Sequence, residues 1–252
     1  MPPTQPSSQS YGTLLLANLT QAKAARAAAR QTPQGAAARI ALRAYQSARL
    51  EASYTDLLAS PRYHDAARFF LDDLYGPKEF SQRDEDIARI VPTLVKLLPA
   101  AAMATLAQAI ELDALSETLD AALLAQLNGA TPSAATYAPA YAACANRPLR
   151  ERQLVITTEL GASLNRLTKV PLLLTTLKMM SVPARAAGLG QLQRFLERGF
   201  SAFKKMGEAG EFVATVVGRE RALMEQWFAA AKIAPNRPPA PHAPHAPHES
   251  LL

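Results

Sequence analysis

The sequence predicts an all-α protein, a single multi-helix bundle of about eight helices with disordered N- and C-terminal tails. Three observations carry that prediction. Alanine and leucine dominate while β-branched residues and glycine are sparse, a balance that favours helix wherever packing does not decide. Apolar residues recur at three- and four-residue spacings through most of the chain. No stretch alternates as a half-buried strand does, and no period of repeat length recurs, which excludes a solenoid. With 252 residues, 49% of them apolar, the chain is long enough to bury a sizeable core.

Residues 1–12 are rich in Pro, Ser and Gln and read as disordered. The next segment can form a helix with Lys23, Arg26 and Arg30 along one side, so residues 1–34 are expected to be a disordered or basic helical arm. Pro33 and Gly35 break the chain, and a long helix follows from about Ala36 to Ala59, striped by Ile40, Tyr45, Leu50, Tyr54 and Leu58. Ser60-Pro61 caps the next helix, whose apolar face is Tyr63, Ala67, Phe70, Leu71 and Leu74. Phe69 falls outside that face, so this helix should lie between neighbours. Gly76-Pro77 ends it.

Ser81 and Asp84 resemble a capping box, followed by a helix buried through Ile87, Ile90, Val91, Leu94 and Leu98, with Pro92 expected to kink it. The pattern beyond Pro99 runs to Leu127 and shifts phase near Glu111, which allows a bend or two helices. Asn128-Gly129 stops it. After a looser connector, Leu149, Ile156, Leu160, Leu164 and Leu167 mark another helix. Residues 172–180, LLLTTLKMM, are apolar nearly all round and predict a central, buried helix. One helix from Ser181 to the Gly207/Gly210 pair and one from about Glu211 to Lys232 complete the domain. The predicted divisions are therefore 1–34, an all-helical domain at 35–233, and a disordered Pro/His tail at 234–252.

Charge is distributed in blocks. Residues 1–62 carry seven Lys/Arg and two Asp/Glu, whereas residues 63–120 carry five and eleven. Such asymmetry fits either a basic surface for an acidic partner or basic and acidic helices facing each other inside one bundle. The acidic central block favours the second. Cys144 is the single cysteine, so no internal disulfide exists and a reducing, cytoplasmic setting is expected. No apolar run reaches transmembrane length.

Chemistry-bearing motifs are few. There is no Walker loop, nucleophile elbow, dinucleotide fingerprint or Glu-x-x-His pair. His242, His245 and His248 recur every three residues in a Pro-rich tail. In a polyproline helix neighbouring rings would sit about 9 Å apart, too far to share one ion. Outside the tail the histidine is His64 alone, so no metal or cofactor is assigned. What remains is a corner of His64, Arg68, Asp72, Asp73, Tyr75, Arg83 and Asp84, with Glu85 and Asp86 adjoining. The acids at 84–86 complement a helix N-terminus. Asp72 and Asp73 end a helix, where carboxylates need partners; Arg68, four residues before Asp72, and Arg83 across the turn would supply them.

These residues also carry a resemblance. The FFLDDLYG…RDxD pattern, with Phe69, Phe70, Leu74, Tyr75, Gly76, Arg83, Asp84, Pro92, Glu111, Leu112 and Leu115, resembles an uncharacterised family of bacterial helical proteins over residues of about 40 to 230. The resemblance implies a helical fold and no particular activity. The residues themselves point to a non-enzymatic binding or interaction module for a protein partner or small ligand, without membrane contact. The alternative is a cofactor-binding protein or enzyme using the His64/Asp72/Asp73/Tyr75/Arg83 corner. A weaker alternative is nucleic-acid binding by the basic N-terminal segment.

Overall fold

Small polar caps begin the first two helices. Ser7 accepts a hydrogen bond from the Ser10 amide at the head of α1 (Ser8–Ala29). Thr32 does the same for the Gly35 amide at the head of α2 (Pro33–Ser53), where Pro33 sits in the first turn and forfeits no helical donor. The computed structural model describes residues 7–74, 81–98 and 100–233. The His-rich tail lies outside the described residues.

α1 is not a separate arm. Leu15, Leu19 and Ala22 are fully buried, and the helix lies along α6 (Ala100–Leu127) and against α5 (Ser81–Leu97). Leu15 and Leu19 join Ile87, Val91, Met103, Ala107 and Ile110 in one apolar cluster. The basic side formed by Lys23, Arg26 and Arg30 reads as an arm, but the i, i+4 leucines Leu15 and Leu19 are a packing face. Burying two leucines stabilises the fold by about 1.5–3 kcal/mol each.

The remaining elements are α3 (Thr55–Ala59), α4 (His64–Phe69), a π-helical turn (Phe70–Leu74), α7 (Ala134–Ala143), α8 (Arg147–Thr168), α9 (Leu173–Met179), α10 (Ser181–Ala186), α11 (Gly190–Met206) and α12 (Gly210–Ile233). The protein is all-α, with twelve α-helices among the described residues rather than about eight. Short pieces account for the excess. A break at Tyr54 divides the expected Ala36–Ala59 helix, and Gly188, at φ 76°, separates α10 from α11. Conversely, α6 is one continuous helix of 28 residues through Glu111. It packs on α1 and also on α8, so apolar stripes of different phase are both covered.

Two further clusters complete the interior. Leu50, Tyr54, Leu57, Tyr63, Leu71, Phe203 and Phe212 bind α2–α4 to α11 and α12. Leu42, Leu123, Tyr137, Tyr141, Leu154 and Met224 bind α2, α6, α7, α8 and α12. The π-helical turn follows directly on Phe69. Phe69 packs on α11, where a side chain at Gly199 would meet the Phe69 ring at 2.6 Å, while Phe70 faces Phe203 and Phe212. The helix thus lies between neighbours, as its two-sided apolarity requires.

Two apolar expectations fail. The 172–180 segment is peripheral: Leu172 and Met179 are each 74% exposed, and Met180 and Val182 are exposed as well. Ile40, placed on the buried stripe of α2, is exposed, and Arg39 and Arg43 are buried in its stead. The reason lies in the buried carboxylate those arginines reach, described below.

The packing of α1 makes a measurable prediction. Leu19→Ala should lower stability by about 2–5 kcal/mol in denaturant titrations, as for other large-to-small core changes. A segment outside the core would show a change within about 0.5 kcal/mol.

Candidate functional site

The basic block meets the acidic one inside the protein, and the meeting point is Glu117 on α6, 4% exposed. Its Oε1 accepts from Arg26 Nε at 3.0 Å, Arg39 Nη2 at 2.7 Å and Arg43 Nη1 at 3.0 Å, and its Oε2 accepts from Arg39 Nε at 3.3 Å. Arg26 also pairs with Asp84 on α5 and Asp113 on α6. Burial disfavours the Arg26 charge, yet Asp113, Glu117 and Asp84 outweigh it and hold the guanidinium above its ordinary value. For Arg43 burial prevails over Glu117, and its value falls. Local sequence explains the convergence. Asp113, Glu117 and Asp120 follow i, i+4, i+7 on α6, and Arg39 and Arg43 follow i, i+4 on α2.

Beside this charged core lies a cavity of about 240 Å³, bordered by Leu50, Phe70, Leu106, Ile110, Leu160, Leu164, Leu196, Phe212 and Val216, among others. Polar groups border it too: Arg43, Gln46, Arg49, Asp113, Glu117, Asp120, Tyr137, Tyr141, Arg150, Gln153 and Glu220. Arg49 donates to both oxygens of Glu220, at 3.0 and 2.8 Å, and Tyr54 Oη donates to the same carboxylate at 2.8 Å. Gln46 Nε2 donates to Asp120 Oδ1 at 2.8 Å. Burial pushes the Asp120 carboxyl up despite that bond and the nearby Arg43 and Arg150. Burial likewise pushes the Tyr141 phenol up to about 12.

Of the residues expected at a site, those that are described have separate partners. His64 is exposed, its Nδ1 hydrogen-bonded to the Leu58 carbonyl at 2.6 Å. Arg68 does not reach Asp72; it pairs with Glu51 at 3.1 Å, while Asp72 lies 3.9 Å from Arg198. His64 and Arg68 border an open surface depression beside Lys178, Arg198, Lys204 and Lys205. Asp84 is not a solvated helix-end acid but a fully buried partner of Arg26, and Asp86, also fully buried, pairs with Arg89 at 2.7 Å. Tyr75 and the side chains of Asp73 and Arg83 lie outside the described residues. Cys144 is half-buried, donates to the Ala140 carbonyl at 3.2 Å, and its thiol is pushed up by burial, which suits an inert packing role.

The cavity residues were missed because each charge, taken singly, reads as solvated surface. A signal did exist: complementary stripes of arginine on α2 and carboxylate on α6, each set within an otherwise apolar helix.

Fold and site together define a helical protein with a buried ion cluster and an adjoining, largely apolar cavity. The chain belongs to the family described as Domain of unknown function (DUF8198), whose model matches residues 25–234. No curated protein and no solved structure matches it. The family match begins within α1 and so includes Arg26, though Leu15 and Leu19 of the same helix precede it. No helix among the described residues is long and apolar enough to cross a membrane.

Two outcomes follow from the electrostatics. Glu117→Ala strands Arg39, whose hydrogen bonds go to Glu117, and should cost about 3–5 kcal/mol of stability. Glu111→Ala, which breaks the more exposed pair with Arg152, should cost about 0–1 kcal/mol. Asp120 supplies a pH signature. Its folded-state value is raised, so its contribution is fully present below the ordinary aspartate value of about 4 and is lost as pH rises through the folded value. Asp120→Asn should therefore gain stability relative to wild type as pH rises out of the acid range and show no relative gain below it, as read by thermal melts across pH.

Proposed function

We propose that this protein is a non-enzymatic binding module that holds a small, mainly apolar ligand in the cavity beside the ion cluster. The observation that carries the reading is a cavity of about 240 Å³ whose wall is mainly apolar, with Leu, Phe and Val prominent in it. A dry cavity of roughly 150 Å³ in a helical protein is enough to take up benzene. The polar groups along one part of the wall would orient such a ligand, as in small-molecule sites generally.

Competing readings gather less support. Of the His64/Asp72/Asp73/Tyr75/Arg83 corner on which an enzyme would be built, the two described side chains, His64 and Asp72, have separate partners. Nucleic-acid binding through residues 20–50 needs available cations, whereas Arg26, Arg39 and Arg43 are committed to Glu117 and Arg49 to Glu220. A protein partner remains compatible with the exposed Leu172, Met179, Met180 and Val182. A cytoplasmic setting belongs to the same proposal and is supported by the single cysteine.

The test is occupancy. Titration with 1-decanol should raise the melting temperature, with about 2.7 kcal/mol of stabilisation at a concentration 100 times Kd. Val216→Trp fills the cavity from α12 and should abolish that response while the variant still melts cooperatively. A wild-type protein indifferent to alcohols and alkanes would refute the reading.

A further inference from the structure

We propose that the cavity's ligand is an apolar body ending in a carboxylate, and that Arg150 is the residue that receives this head group. The inference rests on the cavity reading above and specifies what the cavity selects.

The argument begins with the buried cations. Arg26, Arg39 and Arg43 form ion pairs with Asp84, Asp113 and Glu117, and Arg49 is paired through both terminal nitrogens with Glu220, its Nε alone unbonded among the described residues. Arg150, in the first turns of α8, differs. It is only 6% exposed, borders the cavity, and makes no ion pair among the described residues. Its guanidinium carbon lies 4.3 Å from the centre of the Tyr141 ring, a stacking contact that supplies no hydrogen-bond acceptor.

Among the described residues, Arg150 Nε and Nη2 are buried without a hydrogen-bond partner. These two N–H groups share one edge of the planar guanidinium, the edge whose parallel donors match the two oxygens of a carboxylate. A charged donor left unbonded in a protein interior is costly, so an edge of this kind calls for a partner from outside the chain. Asp120 does not serve: it is engaged by Gln46, makes no ion pair with Arg150, and is pushed towards its neutral form by burial. An acceptor for the Nε/Nη2 edge is therefore what the site lacks. Because no hydrogen bond anchors the guanidinium, its side chain can turn to meet a ligand oxygen without breaking an existing bond. Leu154, Phe212, Val216 and Val217 also line the cavity and suit an aliphatic or aromatic body.

The experiment compares decanoate, 1-decanol and decyl phosphate on the full chain by isothermal titration, in wild type, Arg150→Met and Arg150→Lys. Decanoate should bind wild type at least about tenfold more tightly than 1-decanol. Arg150→Met, which keeps length and removes charge, should weaken decanoate roughly 30-fold or more and leave 1-decanol within about twofold. Arg150→Lys keeps the charge but loses the fork and should recover only part of the preference. Retained 1-decanol binding reports that each variant is folded. Equal affinity of wild type for decanoate and 1-decanol, or decanoate binding unchanged in Arg150→Met, overturns the assignment while leaving the cavity reading intact. Tighter binding of decyl phosphate than of decanoate overturns the carboxylate and assigns a phosphate head instead. Failure of all three probes removes the cavity reading and this inference with it.

Discussion

Three arginines from two helices close on one buried carboxylate, and the arrangement of the N-terminal half depends on that contact. Glu117 holds Arg26 of α1 and Arg39 and Arg43 of α2, and Arg26 in turn holds Asp84 of α5 and Asp113 of α6. Taking so many charges out of water is expensive, and a buried ion pair often adds little net stability over an apolar one. What it adds is an all-or-none quality. Sliding α1 or α2 by one residue would strand an arginine in the interior, so the cluster specifies which faces of the four helices meet. Register of that kind accounts for why Arg39 and Arg43 face inward while Ile40 faces solvent.

The cavity is a consequence of how the same helices continue. Past Glu117, α6 presents Asp120 and Leu123, and α7 brings Tyr137 and Tyr141 against Trp227 of α12, with the Tyr141 and Trp227 rings 4.7 Å apart and edge-on. Rigid aromatic groups at this end and the Phe70–Phe212 stack further along hold the helices apart where smaller side chains would let them collapse. The π-helical turn contributes one of those rings, so the Phe69-Phe70 stretch that stands out in the sequence does reach the candidate site, through packing and not through its acids.

Much of the site was legible only in part. The spacing of Asp113, Glu117 and Asp120 and of Arg39 and Arg43 is plain in the sequence, but charge on a helix surface is usually solvated, and nothing local says that two such stripes face each other. The His64–Asp84 corner presents the opposite case. Its residues are neighbours in sequence around one turn, yet His64 reaches Leu58, Arg68 reaches Glu51, and Asp84 reaches Arg26. Arg150 carried no signal at all, since an unpaired buried guanidinium is defined wholly by what surrounds it.

Composition and periodicity by themselves determined that the chain is helical, where its caps and breaks fall, and that its charge is arranged in basic and acidic blocks. Helix propensity, Ser and Thr caps and the Asn128-Gly129 stop act over a few residues, so they are written locally. The burial of α1, the exposure of 172–180, the charged core and the cavity were decided only in three dimensions. Each depends on which helix covers which face, and α6, covered by α1 on one side and α8 on another, has apolar and charged stripes that only those neighbours assign to the interior.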